Sequence, residues 1–333
     1  MTVTDKNLPD QAEAEDHFLP PVILLVASAA FLYLTLFVLP GTPVLLSGDQ
    51  IFFWMNGQRM LHGELPYRDF FQFTPAGADL VYFAVFKVLG PRIWVVNAVI
   101  LLLGVALCWV CFAIASRLMS RRLAVLATLT FLTLIYSRLL NATHHWFSLL
   151  AIMAAVAMLM RGTDQRRLAS AGVWLGIASF FTQTHGIVAL LAISWFLRND
   201  TVGIHATQDF WNKEKRLLAG FFLALVSLNA YFIAQSGWGR FFYCQVYYVL
   251  RVMHHRPEPW PVPGMPALSS PQVSGRGSLV YAYGQCFLVY AMLPISYALA
   301  LRRSWRTSST ARFRQPEVAI LAIVGSSLLA EVI

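Results

Sequence analysis

The feature that most constrains this chain is a series of long apolar runs nearly free of charge. The first, Val22 to Leu39, is bounded by Pro20, Pro21 and Pro40, and others follow at about 93–116, 123–137, 146–160, 168–182, 187–197, 217–235, 279–301 and 317–333. A helix needs about 20 apolar residues to cross a hydrocarbon core about 30 Å thick, whereas a membrane barrel uses strands of about ten residues that alternate in polarity. These runs are continuous, so they predict helices. With 58% hydrophobic and 12% charged residues, against about 25% charged in an ordinary soluble domain, a soluble globular protein is excluded. The expectation is an all-α polytopic membrane protein with about nine spans, several of them short.

The first run lacks the basic flank of a signal peptide. It is preceded by Asp5, Asp10, Glu13, Glu15 and Asp16 against a lone Lys6, which predicts an uncleaved first span. Residues 1–21 are then an acidic cytoplasmic tail and 22–333 a transmembrane module. The chain stops at Ile333 inside an apolar run just after Glu331, as expected of a truncated sequence. A net charge of +9 would suggest nucleic acid in a soluble protein. Here the basic residues sit mostly in short loops between apolar runs, the pattern of the positive-inside rule, and nucleic acid is not an expected partner.

Orientation turns on the segment 75–92, which contains Asp79 and Lys87 and has only Leu80 to Phe86 as an unbroken apolar run. If it lies in the membrane interface, the loops 117–122, 161–167, 198–216 and 302–316 share one side, with 15 Lys and Arg in 47 residues. The opposite loops, 41–92, 138–145, 183–186 and 236–278, hold 9 in 107. The dense side is cytoplasmic. The N-terminus is therefore inside, 75–92 is an interfacial helix, and function is sought in the two large external loops, 41–92 and 236–278.

The first loop reads Ser47-Gly48-Asp49-Gln50, an aromatic amphipathic stretch from Ile51 to Leu61, then His62-Gly63-Glu64-Leu65-Pro66-Tyr67-Arg68-Asp69, and Thr74-Pro75 opening the interfacial helix. It gathers four acids at the membrane surface. Asp49 follows the first span closely, where low-dielectric surroundings suit a carboxylate to general-base work. The same position also suits an N-cap of the following helix, and the two roles are compatible.

An acid just after the first span, an amphipathic helix, the Gly63-x-x-Pro66-Tyr67-Arg68-Asp69 stretch and a Pro-led interfacial helix together resemble the type C glycosyltransferases. The likeness is to the dolichyl-phosphate-mannose protein mannosyltransferase and aminoarabinose transferase superfamily, from about residue 22 to 235. The resemblance implies a type C glycosyltransferase-like bundle with interfacial helices in the first external loop. It implies inverting transfer of a sugar from a polyprenyl-phosphate donor to a glycolipid, polysaccharide or protein acceptor, with Asp49 as general base. It also implies a multi-pass protein among membrane lipids, in a bacterial inner membrane with its active site outside. Gln50 stands where many relatives carry a second acid, and the short external loop from Ser137 to Trp146 offers Asn141 and histidines where relatives often have an Asp.

Further candidates for contacting substrate are Arg68, Asp69 and Lys87 in the first loop, and Arg138, His144 and His145 at the next outer boundary. Arg138 and Trp146 also suit an interfacial anchor, and Lys87 suits snorkelling. Gln183 and His185 occupy the external turn where relatives keep a phosphate-contacting Lys or Gln. In the second large loop, Phe241 to Leu250 reads as another interfacial helix and the Pro-rich stretch Pro257 to Pro271 as a lid. His254 and His255 there could join Asp69 or Asp49 around a divalent metal, or simply be solvated. Cys108 and Cys111 imitate a Cys-x-x-Cys motif inside a span without a second pair, and Cys244 could approach Cys286 outside. Asn141-Ala142-Thr143 fits the glycosylation pattern but lies close to the membrane. The rival classes are a non-catalytic lipid-glycan transporter or flippase, whose charges would line a path through the bundle, and a surface polysaccharide polymerase or ligase, which would rely on Arg and His of the late external loop.

Overall fold

The computed structural model describes residues 11–39, 41–44, 48–201, 205–252, 284, 287–305, 313 and 315–332. Among the described residues the chain is all-α apart from one two-stranded ribbon. Its elements are α1 (Gln11–Leu36), β1 (Phe37–Val38), β2 (Thr42–Pro43), α2 (Asp49–Leu61), α3 (Gly77–Leu89), α4 (Ile93–Leu118) and α5 (Arg121–Thr130). There follow α6 (His144–Leu159), α7 (Gln165–Phe181), α8 (Gln183–Asp200), α9 (Ala206–Ser236), α10 (Trp238–Phe242), α11 (Tyr248–Arg251), α12 (Leu293–Ser304) and α13 (Pro316–Val332). Among the described residues, two helices are long and apolar enough to cross a membrane: α4, with mean hydropathy 2.8, and α9, with 2.1. The stretches Pro21–Leu36 and His144–Leu159 are shorter apolar helices.

Two compact units result, Met1–Trp54 with Ala84–Thr143, and Met55–Phe83 with His144–Ile333. In the first, α1 packs on α4 and α5 around Leu24, Phe112, Ala115 and Ala124. Gly104 of α4 admits Tyr136 and Leu32, since a Cβ there would lie 2.5 and 2.7 Å from their side chains. The Tyr136 hydroxyl donates to the Ile100 carbonyl at 2.7 Å. Asn97 donates its amide to the carbonyls of Leu36 and Val44, at 2.8 and 3.0 Å, and so satisfies an orphan carbonyl at the end of α1.

The run 123–137 departs from a single regular helix. After α5 the backbone widens to a π-helical turn over Phe131–Ile135 and then tightens to a 3₁₀ turn over Tyr136–Leu139. Thr128, Thr130, Thr133 and Ser137 each donate a hydroxyl back to the carbonyl four residues earlier, a habit that bends helices. Apolarity alone does not reveal this.

In the second unit, α7 is sandwiched by α6 and α9, and α13 packs on α8 and α12. Asp164 caps α7 by accepting from the Arg167 N–H at 3.1 Å. Along the α7–α9 seam, Gly172, Gly176 and Gly220 stand so close to the opposing backbone that none has room for a Cβ; at Gly176 it would lie 2.5 Å from the Phe221 carbonyl oxygen. Close backbone approach through small residues is how helices associate where no hydrophobic effect drives them together. The C-terminal end of α9 then delivers the residues of the site described next.

Candidate functional site

The loop between α2 and α3 is tightly built. Gly63 turns the chain at φ +88, and Tyr67, a non-glycine residue, takes φ +68, a left-handed conformation that its surroundings must hold in place. They do so on several sides. The Tyr67 N–H donates to the Phe70 carbonyl and the Asp69 N–H to the Leu65 carbonyl, both at 2.9 Å, while the Leu65 N–H donates to Asp69 Oδ2 at 2.8 Å. The ring of Tyr67 is buried edge-on against Phe232 of α9 and Phe241 of α10, in a small core with Met60, Ala76, Phe180 and Cys244. Its hydroxyl donates to the Thr74 carbonyl at 3.1 Å.

This turn aims Arg68 and Asp69 into one cavity. Arg68 donates to both carboxylate oxygens of Asp69, the shortest contact being 2.7 Å, and to the Gly63 carbonyl at 3.0 Å; a longer contact of 3.4 Å reaches Gln235 near the end of α9. From the other wall Arg240 donates to the Arg68 carbonyl at 3.1 Å. The cavity holds about 360 Å³ and is walled by Tyr67 to Phe71 on one side and Gly239, Arg240, Tyr243 and Cys244 on the other. The Arg68 guanidinium and then the Leu65 N–H hold Asp69 below the usual carboxylate range. Two guanidiniums against one ionised carboxylate leave the cavity a net positive charge, the balance that suits a phosphate or carboxylate guest. Arg59 and Glu64 pair nearby, with the Arg59 guanidinium 4.1 Å over the Phe70 ring.

Beneath the loop lies a buried polar knot. Asn56 of α2 donates to Gln72 Oε1 and Asp79 Oδ1, at 3.2 and 3.1 Å. Gln72 donates to Thr74 Oγ1 at 2.6 Å and to Asp79 Oδ2 at 3.0 Å. Gln245, on the π-helical turn Tyr243–Tyr247, donates to the carbonyls of Thr74 and Phe73 at 3.1 and 3.3 Å. Gln183 in turn donates to the Gln245 side-chain oxygen at 3.0 Å. Asp79 is 0% exposed, and burial pushes its carboxyl up to about 8.

No known protein family, curated protein or solved structure matches the chain.

The sequence-predicted residues distribute as follows. Arg68 and Asp69 meet in the cavity. Asp49 is the exposed first residue of α2, one past Gly48 at φ +102, in the first unit. There its charge favours the helix N-terminus. Lys87 is exposed on α3, also in the first unit. Arg138 belongs to the 3₁₀ turn, and its side chain lies outside the described residues. His144, His145 and His185 come together, with ring centroids 3.9 and 5.2 Å apart in succession, and His185 Nε2 is 3.9 Å from Glu331 Oε1. Burial, then the neighbouring His145 and His185, pushes His144 down to about 3, and burial lowers His185. As uncharged rings these two offer a phosphate hydrogen bonds but no charge.

The amide of Gln183 is engaged by Gln245. His254, His255 and the stretch Pro257 to Pro271 lie outside the described residues, as does the Cys244–Cys286 approach, while Phe241 to Leu250 is helical as expected. Among the described residues no group of three or more His, Cys, Asp or Glu is placed to hold a metal ion. Sequence reasoning had Arg240 only as one of the charges of the second large loop, and it missed Gln245, Asn56, Gln72 and the burial of Asp79. A signal existed for the last three: the amides Asn56 and Gln72 and the acid Asp79 each stand among aromatic and aliphatic neighbours, and polar groups kept in apolar surroundings generally bond one another.

Proposed function

We propose that this chain is a multi-pass membrane glycosyltransferase of the type C kind, with about nine spans and its N-terminus in the cytoplasm. It moves a sugar from a polyprenyl-phosphate donor to an acceptor hydroxyl on the outer face of a cell membrane. The observation that carries the proposal is the site of the Arg68–Asp69–Arg240 cavity. It opens within four residues of the end of α9, a helix long and apolar enough to cross a membrane. Exposed aromatics surround that end: Trp238 is 64% and Tyr243 48% exposed, with Phe242 and Tyr247 beside them. Such rings favour the headgroup level of a bilayer. A lipid phosphate, its tail among acyl chains and its headgroup at the interface, needs positive hydrogen-bond donors at that depth, and two guanidiniums supply them.

In this reading the acceptor oxygen bonds to the anomeric carbon from the face opposite the phosphate while Asp49 takes the hydroxyl proton. The bond from the anomeric carbon to the phosphate oxygen breaks, and polyprenyl phosphate departs as an anion. No separate acid is needed, because phosphate is a stable leaving group, in contrast to the paired carboxylates of glycoside hydrolysis. The test is Asp49→Asn in purified protein, assayed for sugar transfer from polyprenyl-phosphate donors. Loss of transfer with donor binding intact is expected. Undiminished transfer overturns the assignment of the base, and the absence of transfer by the unaltered protein from any such donor overturns the class.

A further inference from the structure

The knot under the cavity has a feature that its role as packing does not require. Asp79 receives two amide N–H donors, from Asn56 and Gln72, yet no Lys, Arg or His approaches it within ion-pair distance among the described residues. A buried carboxylate with no cation is costly, and the amide donors, which favour the charged form, offset only part of that cost. The titratable groups around it add no positive charge. Tyr67 on the loop and Cys244 on the π-helical turn are both pushed upward by burial, so both are uncharged at neutral pH. Asn56 of α2, Gln72 and Thr74 of the loop, and Gln245 are all neutral.

The same knot fastens both walls of the cavity. Gln72 and Thr74 end the loop that presents Arg68 and Asp69. Gln245, five residues beyond Arg240, clamps the carbonyls of that loop end. We propose that Asp79 is a positioning residue that works as a proton-held latch: with its proton on, it fastens the loop 62–76 against the Arg240 segment and assembles the anion cavity, and loss of the proton loosens both. The latch stands on the burial of Asp79 with no cation beside it and on the hydrogen bonds that tie it to the loop; its consequence for a lipid phosphate rests on the function proposed above.

Linkage sets the direction. In the closed loop Asp79 keeps its proton up to about pH 8, whereas in an opened, solvated loop it ionises near the ordinary value of about 3.9. Between those limits opening releases one proton, so the opening constant rises about tenfold per pH unit and levels off above the upper limit. Closure is therefore firmest in mild acid.

Hydrogen exchange of the full chain in detergent, corrected for the intrinsic pH dependence of exchange, reads this on the amides of Leu65, Tyr67 and Asp69. Expected is a fall in protection of about tenfold per pH unit from pH 5 toward 8 and a plateau above it, with the slope abolished in Asp79→Asn. In Gln245→Leu, which cuts the clamp without touching the titrating group, protection drops by a similar factor at every pH and the slope persists. A flat profile in the unaltered protein overturns the latch even if Asp79→Asn does not fold, and so does a slope retained by Asp79→Asn. Farnesyl phosphate binding is measured in parallel. The affinity of the unaltered protein relative to Asp79→Asn is expected to fall across the same pH range, a ratio that cancels the ionisation of the probe. If the unaltered protein binds no farnesyl phosphate at any pH, the phosphate cavity fails, while exchange still decides the latch.

Discussion

The first turn of α2 and the first turn of α3 each carry an acid, yet the two carboxyls live in opposite worlds. Asp49 stands exposed beside a glycine turn, where a helix N-terminus favours its charge. Asp79 is sealed under a loop between two amides, where the loss of water outweighs what favours its charge. The difference teaches that a carboxyl's chemistry is set by what covers it and not by its place in a helix. A buried carboxyl without a counter-charge holds its proton.

The sharpest way to break that contrast is to neutralise each acid. Asp49→Asn is expected to lower transfer about a hundredfold or more, the range that a positioned base supplies, while thermal melting shifts little. If the variant melts far earlier, Asp49 is structural and the contrast collapses. Asn56→Leu works on the other side. It strands Gln72 and Asp79 in the knot, and each buried polar group left without its partner costs about 1–3 kcal/mol, visible as a lowered midpoint in denaturant titration. An unchanged midpoint would mean that the knot is dispensable.

A smaller effect falls on the cavity. Arg240→Ala is expected to weaken binding of a polyprenyl phosphate about tenfold and to lessen its sensitivity to salt, because one charge-assisted contact is gone. Equal binding at all salt concentrations would detach Arg240 from the site. The smallest change is expected at Arg59→Ala. Arg59 and Glu64 are 40% and 42% exposed in their side chains, and an exposed pair contributes about 0.2–1 kcal/mol. A larger loss of stability in calorimetry would show that the Phe70 contact, and not the ion pair, is what matters there.

Much of the helical framework was legible in the residues. The apolar runs at 93–116, 146–160 and 168–182 fall almost residue for residue in α4, α6 and α7, because an uncharged run needs only length to specify a helix. The amphipathic stretch from Ile51 and the segment behind Pro75 likewise became α2 and α3. What stayed hidden depended on partners distant in sequence. Gln245 lies more than 170 residues from the carbonyls that it binds, and no local pattern joins them. Arg240 reads as one more loop cation until the left-handed Tyr67 presents the Arg68 carbonyl to it. Asp79 reads in the sequence as a charge that interrupts an apolar run, and only the fold shows that it is covered on all sides.

The glycine seam between α7 and α9 bears on how such a molecule can move. With backbone lying against backbone at Gly172, Gly176 and Gly220, the two helices have no compliant layer of side chains between them in which to slide or tilt. The chain turns at Gly237, φ +79, directly after α9, and Arg240 lies four residues past that helix's end. The seam thus fixes where α9 ends and, through it, where the wall that carries Arg240 begins.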